Sequence, residues 1–215
     1  YAEEALLRHF GTYSLKGYGI EDMEEGIVAA GAVLHYLGDT VHPNTSHIAS
    51  IHRINRDEYL WMDQFTIRNL ELIYAGVDGG ATLLKTIDST VSPMGARLMR
   101  RWVLMPLVQK EQIEERATLV AAILANREWK AAVLQNIKQC GDIERLVSKI
   151  PSRKIGPREM LQLANGLEQV RLIKIAAGDL SDPYLFRLAE NLTGCSIIKE
   201  KIVREIADDA PAQTV

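Results

Sequence analysis

Cysteine is scarce: the 215 residues contain only Cys140 and Cys195. A disulfide framework needs more of them in a shorter, secreted chain, so the pair reads as free thiols of a reducing compartment. Long apolar runs are missing as well. None approaches the roughly 20 residues of a membrane span, and no basic start followed by an apolar stretch marks a leader. A basic surplus is the third absence: 25 Lys and Arg stand against 28 Asp and Glu, a net charge of -3. Proteins that hold DNA by neutralising phosphates carry such a surplus. Any nucleic-acid contact therefore rests on a local patch. The expectation is a cytoplasmic, soluble chain that touches no membrane.

Catalytic motifs are absent too. There is no G-x-x-x-x-G-K-[ST] loop to cradle nucleotide phosphates, and no G-x-S-x-G, H-E-x-x-H or Cys-x-x-Cys pattern. No catalytic, cofactor-binding or metal-ligating residue is therefore expected, and the chain is not read as an enzyme. What is present is core material. With 47% hydrophobic and 25% charged residues, the chain holds enough apolar side chain to offset the entropy lost on folding. It starts at Tyr1 and stops at Pro211-Ala212-Gln213-Thr214-Val215, which reads as excised boundaries.

Periodicity points to helices. Met23 to Leu37 repeats Ile27, Ala30, Leu34 and Leu37 at three- and four-residue steps, and Lys110 to Ala125 carries Ile113, Ala117, Val120, Ala121 and Leu124. Ser92-Pro93 places a hydroxyl before a first-turn proline, and Asp182-Pro183 repeats that signal. Asp142 can cap a helix holding Ile143, Leu146, Val147 and Ile150. Gly156-Pro157 opens a long helix to about Ala177, weakened only at Gly166, and Ser196 starts a last one. Val41 to Ser46, with Pro43-Asn44, reads as a linker. Ile48 to Ile54 and Glu58 to Met62, separated by Asn55-Arg56-Asp57, predict a β-hairpin.

Several groups invite a chemical reading. His35, His42, His47 and His52 lie close in sequence, but zinc needs three or four convergent ligands at tighter spacing. Glu21, Asp22, Glu24 and Glu25 sit at a helix start, where negative charge suits the helix dipole without any cation. Arg97, Arg100 and Arg101 fall within a third of one helix circumference. They are the nucleic-acid candidates, and pairing with Asp88, pairing with another domain's carboxylates, or plain solvation are the alternatives. Trp61, Trp102 and Trp129 read as core anchors.

Residues 88-107, with Thr90, Pro93-Met94-Gly95, Arg97, Arg101-Trp102 and Pro106-Leu107, closely resemble the core, or lever, domain of MutS-type DNA mismatch repair proteins. Arg68-Asn69-Leu70-Glu71-Leu72, Gly141-Asp142-Ile143-Glu144-Arg145-Leu146 and Pro157-Arg158-Glu159 agree with the same family. Phe10-Gly11-Thr12 through Ala29-Ala30-Gly31 to Tyr36 resembles the end of its connector domain. Ser92 and Met99, where Thr and Leu are expected, are conservative departures. Local physics accounts for part of the pattern: Pro93 sets the first turn, Gly95 allows close approach of another element, Trp102 is a buried anchor and Pro106 stops the helix.

The resemblance implies a mainly α fold: a helical lever with a small β-hairpin, preceded by the C-terminal part of an α/β connector. Residues 1-42 would be the connector's end and 43-215 the first lever segment, before the clamp. It implies coupling between a DNA-gripping clamp and an ATPase domain. No cofactor is implied for this chain, and ATP with Mg for the parent. Mismatched double-stranded DNA, a second parent copy and repair proteins such as MutL are the implied partners. The family's mismatch-reading Phe-x-Glu motif is absent here. A helical interaction scaffold unrelated to repair and a small histidine metalloenzyme are the competing readings.

Overall fold

The computed structural model of the chain describes residues 1-40, 45-54, 56-178 and 183-211. His42, Pro43-Asn44 and Asp182, read above for a metal, a linker and a cap, lie outside these residues. The fold is mainly helical, and the described residues divide into two compact units.

The first unit comprises 1-55 and 148-155. Its helices α1 (Ala2–Phe10) and α2 (Glu24–Asp39) pack against each other. Gly31 makes this approach possible, since a Cβ there would stand 2.7 Å from that of Ala2. Gly11 ends α1 in the left-handed conformation at φ 61° and donates its N–H to the Leu7 carbonyl, a glycine C-cap. Leu6, Leu15, Ile20 and Ile27 form the core, with Phe10, Tyr18 and Ile51 packed around it.

The second unit comprises 56-147 and 156-215. Its helices are α3 (Gln64–Asn69), α4 (Leu83–Ile87), α5 (Pro93–Leu104), α6 (Lys110–Ala125), α7 (Arg127–Cys140), α8 (Ile143–Ser148, ending at the unit boundary), α9 (Pro157–Gly178), α10 (Pro183–Glu190) and α11 (Ser196–Glu205). The first three start on side-chain caps: Asp63 accepts from the Thr66 N–H, Thr82 from Lys85 and Ser92 from Gly95. The centre is α9, whose 22 residues span about 33 Å at roughly 1.5 Å each. Helices α7, α10 and α11 all pack along it. Leu163, Ala164, Ala177, Leu185 and Ile202 are among the buried side chains of that assembly.

The predicted β-hairpin does not form. Among the described residues, 48-54 has no strand, and Arg56–Glu58 is a 3-10 turn. Tyr59 instead makes one antiparallel bridge with Leu107. The Leu60 N–H donates to the Pro106 carbonyl at 2.8 Å, and the Val108 N–H to the Glu58 carbonyl at 3.1 Å. An isolated two-stranded hairpin is marginal in water. Here each arm has a better outlet, because Ile51 joins the first unit's core while 58-60 pairs with the turn after α5.

The tryptophans also depart from expectation. Trp61 is 61% exposed and Trp102 41% exposed, so neither is a buried anchor, and Trp129 is half-buried. A distant element is not what crowds Gly95 most closely. The atoms nearest a Cβ there belong to Ser92 and Thr90 of its own cap.

Candidate functional site

The three arginines begin with the cap of α5. The Ser92 hydroxyl accepts the Gly95 N–H at 3.1 Å and Pro93 holds the first turn, which presents Arg97, Arg100 and Arg101 along one side. Arg97 is forked across two carboxylates at the start of α8. Its Nη1 and Nη2 donate to the Asp142 oxygens at 2.9 and 2.6 Å. Its Nε and Nη2 donate to Glu144 Oε2 at 2.9 and 2.6 Å. The guanidinium thereby holds the Asp142 carboxyl below the usual carboxylate range, and the two acids raise Arg97 above its ordinary value. Asp142 Oδ1 also accepts the Arg145 N–H at 3.3 Å, so one acid both caps α8 and ties it to α5.

Asp88, one of the alternative partners, is engaged elsewhere. Asp88 is not bound to Arg97. It accepts the hydroxyl and N–H of Thr90 at 2.7 and 2.9 Å, which lower its pKa. Arg100 and Arg101 are exposed and carry no ion pair among the described residues. The three candidates are thus placed together, with Arg97 engaged inside the unit.

A second charged node joins α9 to α11. Glu168 accepts from Arg171 at 2.6 and 3.0 Å and from Lys199 at 2.7 Å. Arg171 first, then Lys199, holds the Glu168 carboxyl down at about 2. Further along α9, Lys174 donates to the Leu192 carbonyl at 2.8 Å and so caps the chain leaving α10. Near the start of α9, Arg158 donates to the Ala210 carbonyl at 2.8 Å. The rod is tied to its neighbours along most of its length. Sequence reasoning missed Glu168, Lys199 and Lys174. Only the Glu168–Arg171 spacing of one helical turn was visible in advance.

The described histidines do not converge. His35 pairs with Asp39 at 2.9 Å, and His52 with the Ser50 hydroxyl at 2.9 Å. Among the described residues, no three His, Cys, Asp or Glu side chains come close enough to hold a metal ion, and no helix is long and apolar enough to cross a membrane. An apolar cleft of about 610 Å³ lies among α5, α7 and α10. Met94 and Leu98 line one side, Leu134, Ile137 and Leu185 the other.

Residues 65–215 match the family model described as MutS domain III. The chain belongs to the MutS family. It is 46% identical to the DNA mismatch repair protein MutS of Christiangramia forsetii, over 98% of this chain and 24% of that protein. The proteins of the same name from Cytophaga hutchinsonii and Parabacteroides distasonis are 42% and 41% identical. Each of those alignments covers 98% of this chain and about a quarter of the relative. The chain therefore spans about a quarter of the length of the curated relatives it matches.

Membership of the MutS family gives the Arg97 fork a clear reading. Two of the stretches that carried the resemblance, 88-107 and 141-146, lie far apart in sequence and meet at this one ion cluster. The domain III residues brought together here are held by structure: salt links, helix caps and a close helix crossing.

Proposed function

We propose that the chain is the connector end, residues 1-42, and the first lever segment, residues 43-215, of a MutS-type mismatch repair protein. Its role is to pass conformational state between a DNA-gripping end and an ATPase end. The observation that carries this reading is α9, a proline-free rod beyond its first turn, with α7, α10 and α11 packed along it and charged ties to its flanks. Close-packed helices move as units, so a displacement at one end is felt at the other.

On this reading the full-length protein hydrolyses ATP with Mg, binds mismatched double-stranded DNA, works as a homodimer in the cytoplasm and meets partners such as MutL. The chain itself supplies no chemical step. Arg100 and Arg101 are its candidates for phosphate contact, and Arg97 is a strut.

The test loosens the rod in the full-length protein. Lys199→Ala removes one of the two cations on Glu168. Coupling free energies between sites are typically about 1–3 kcal/mol, so stimulation of ATP turnover by mismatched duplex should fall roughly fivefold or more, with basal turnover and duplex affinity kept within about twofold. Unchanged stimulation in a Lys199→Ala, Lys174→Ala double variant would sink the relay reading.

A further inference from the structure

Trp102, the most distinctive residue of the 88-107 stretch, is neither a core anchor nor part of the rod. Its ring carries the Arg116 guanidinium, 4.1 Å from the ring centroid. A stacked guanidinium is fixed in orientation while its edge N–H groups stay available. Arg116 is only half-exposed, and among the described residues it has no carboxylate or carbonyl partner. An immobilised, partly desolvated cation with unfilled donors is a receptor for an anion.

The surroundings say which kind. Arg116 lines a groove of about 430 Å³ between α6 and α10, within the range of roughly 300–1,000 Å³ usual for ligand clefts. Leu107, Leu119 and Leu188 give it apolar walls. Gln112 and Asn191 stand at its edges, each with one amide N–H spent on a neighbour, the Gln109 side chain and the Arg187 carbonyl. Their side-chain oxygens have no donor among the described residues, so they suit peptide N–H groups. Glu115 also lines the groove, 3.8 Å from Arg187. That carboxylate repels a continuous phosphate backbone, but it tolerates one carboxylate seated on Arg116.

We propose that the α6–α10 groove binds a short acidic peptide segment of a partner protein, one Asp or Glu flanked by apolar residues, with Arg116 held on Trp102 as the carboxylate receptor. Arginine beside an aromatic in a partly apolar groove is the composition of interaction hot spots. The inference is separable from the relay, because Arg116 bonds to none of Glu168, Lys199 and Lys174, and only Lys174 comes near the groove, at the Glu190 and Leu192 carbonyls beside Asn191.

The experiment uses the full-length protein. A random seven-residue phage-displayed peptide library is selected on the wild-type protein, with an Arg116→Gln variant as counter-target. The expected result is enrichment of peptides with Asp or Glu between Leu, Ile or Val. By fluorescence anisotropy these should bind Arg116→Gln about tenfold or more weaker, the loss expected for one charge-assisted pair. Arg116→Lys should not restore binding, since it lacks the planar fork. Trp102→Leu should weaken binding while the helical circular dichroism is unchanged. The proposal is overturned by a library that yields no acidic consensus, by peptides that bind Arg116→Gln equally well, or by an eight-nucleotide oligothymidine that outcompetes them at the same groove.

Discussion

The Cys140 thiol lies 3.4 Å from the Gly166 carbonyl oxygen, and the two residues mark a close crossing of helices in the second unit. Cys140 ends α7, while Gly166 sits inside α9. A Cβ at Gly166 would stand 2.6 Å from the Cys140 carbonyl oxygen and 2.9 Å from Ile143 Cγ1. Asn165 adds a hydrogen bond to the Gln139 carbonyl at 3.2 Å. Burial pushes the Cys140 thiol pKa up, so this sulfur is a packing group rather than a nucleophile. The glycine that reads in sequence as a weak point of α9 is the residue that lets α7 and α9 touch.

Two glycine substitutions should therefore act with opposite sign. Gly166→Ala gains helix propensity but forces α7 and α9 apart, a net destabilisation of about 1–2 kcal/mol. Gly38, in α2, has nothing within 4 Å of its Cβ position, so Gly38→Ala should stabilise by up to about 1 kcal/mol. Urea unfolding followed by helical circular dichroism measures both. A stabilising Gly166→Ala would mean that the crossing is looser than described.

Core and cap should separate by magnitude. Leu185 is fully buried at 0% exposure where α10 packs on α9, so Leu185→Ala should cost about 2–5 kcal/mol. Ser92→Ala removes one N-cap hydrogen bond, and about 1 kcal/mol is expected. The same unfolding curves rank the two. Equal losses would contradict the burial of Leu185.

The Glu168 node gives a pH dependence of definite sign. Its carboxyl is held down at about 2 in the folded chain, against an ordinary value of 4.5, by Arg171 and then Lys199. The unfolded chain binds the proton first. The contribution is therefore complete above about 4.5 and is lost as pH falls from there towards 2. Glu168→Gln should flatten that part of the acid limb and lower stability at neutral pH. Because the partners are partly exposed, the effect should be modest and shrink in high salt. Thermal midpoints between pH 2 and 7 would show it. An acid limb identical in Glu168→Gln removes the node from the account.

Much of the helical frame was readable from local signals. Lys110–Ala125 runs as its apolar stripe predicts, Ser92 caps as its position before Pro93 predicts, and α9 runs one residue past Ala177. Signals that depend on distant partners were not readable. The β-rich stretch 48-62 satisfies local propensity, yet Tyr59 finds its bridge at Leu107, 48 residues on. Helical spacing groups the three arginines on α5, but Arg97 reaches its acids across 45 and 47 residues, which no helical spacing reveals. Trp102 reads as core because large aromatics usually are buried. Its surface position becomes legible only once Arg116 is seen above it.

The Arg97 fork makes the most discriminating prediction. If Arg97 serves Asp142 and Glu144 as a unit, removing either side removes the same interaction. Arg97→Leu and the Asp142→Asn, Glu144→Gln pair should then be strongly non-additive, the combined variant being scarcely less stable than the worse of its parents. Arg97→Lys should recover only part of the loss, because an ammonium cannot span two carboxylates through three nitrogens. The pairs are partly exposed, so the coupling should weaken as salt rises. A double-mutant cycle by urea unfolding at low and high salt reads all three. Full additivity at low salt would mean that Arg97 does not tie α5 to α8 in solution. It would also return Arg97 to Arg100 and Arg101 as an available phosphate contact.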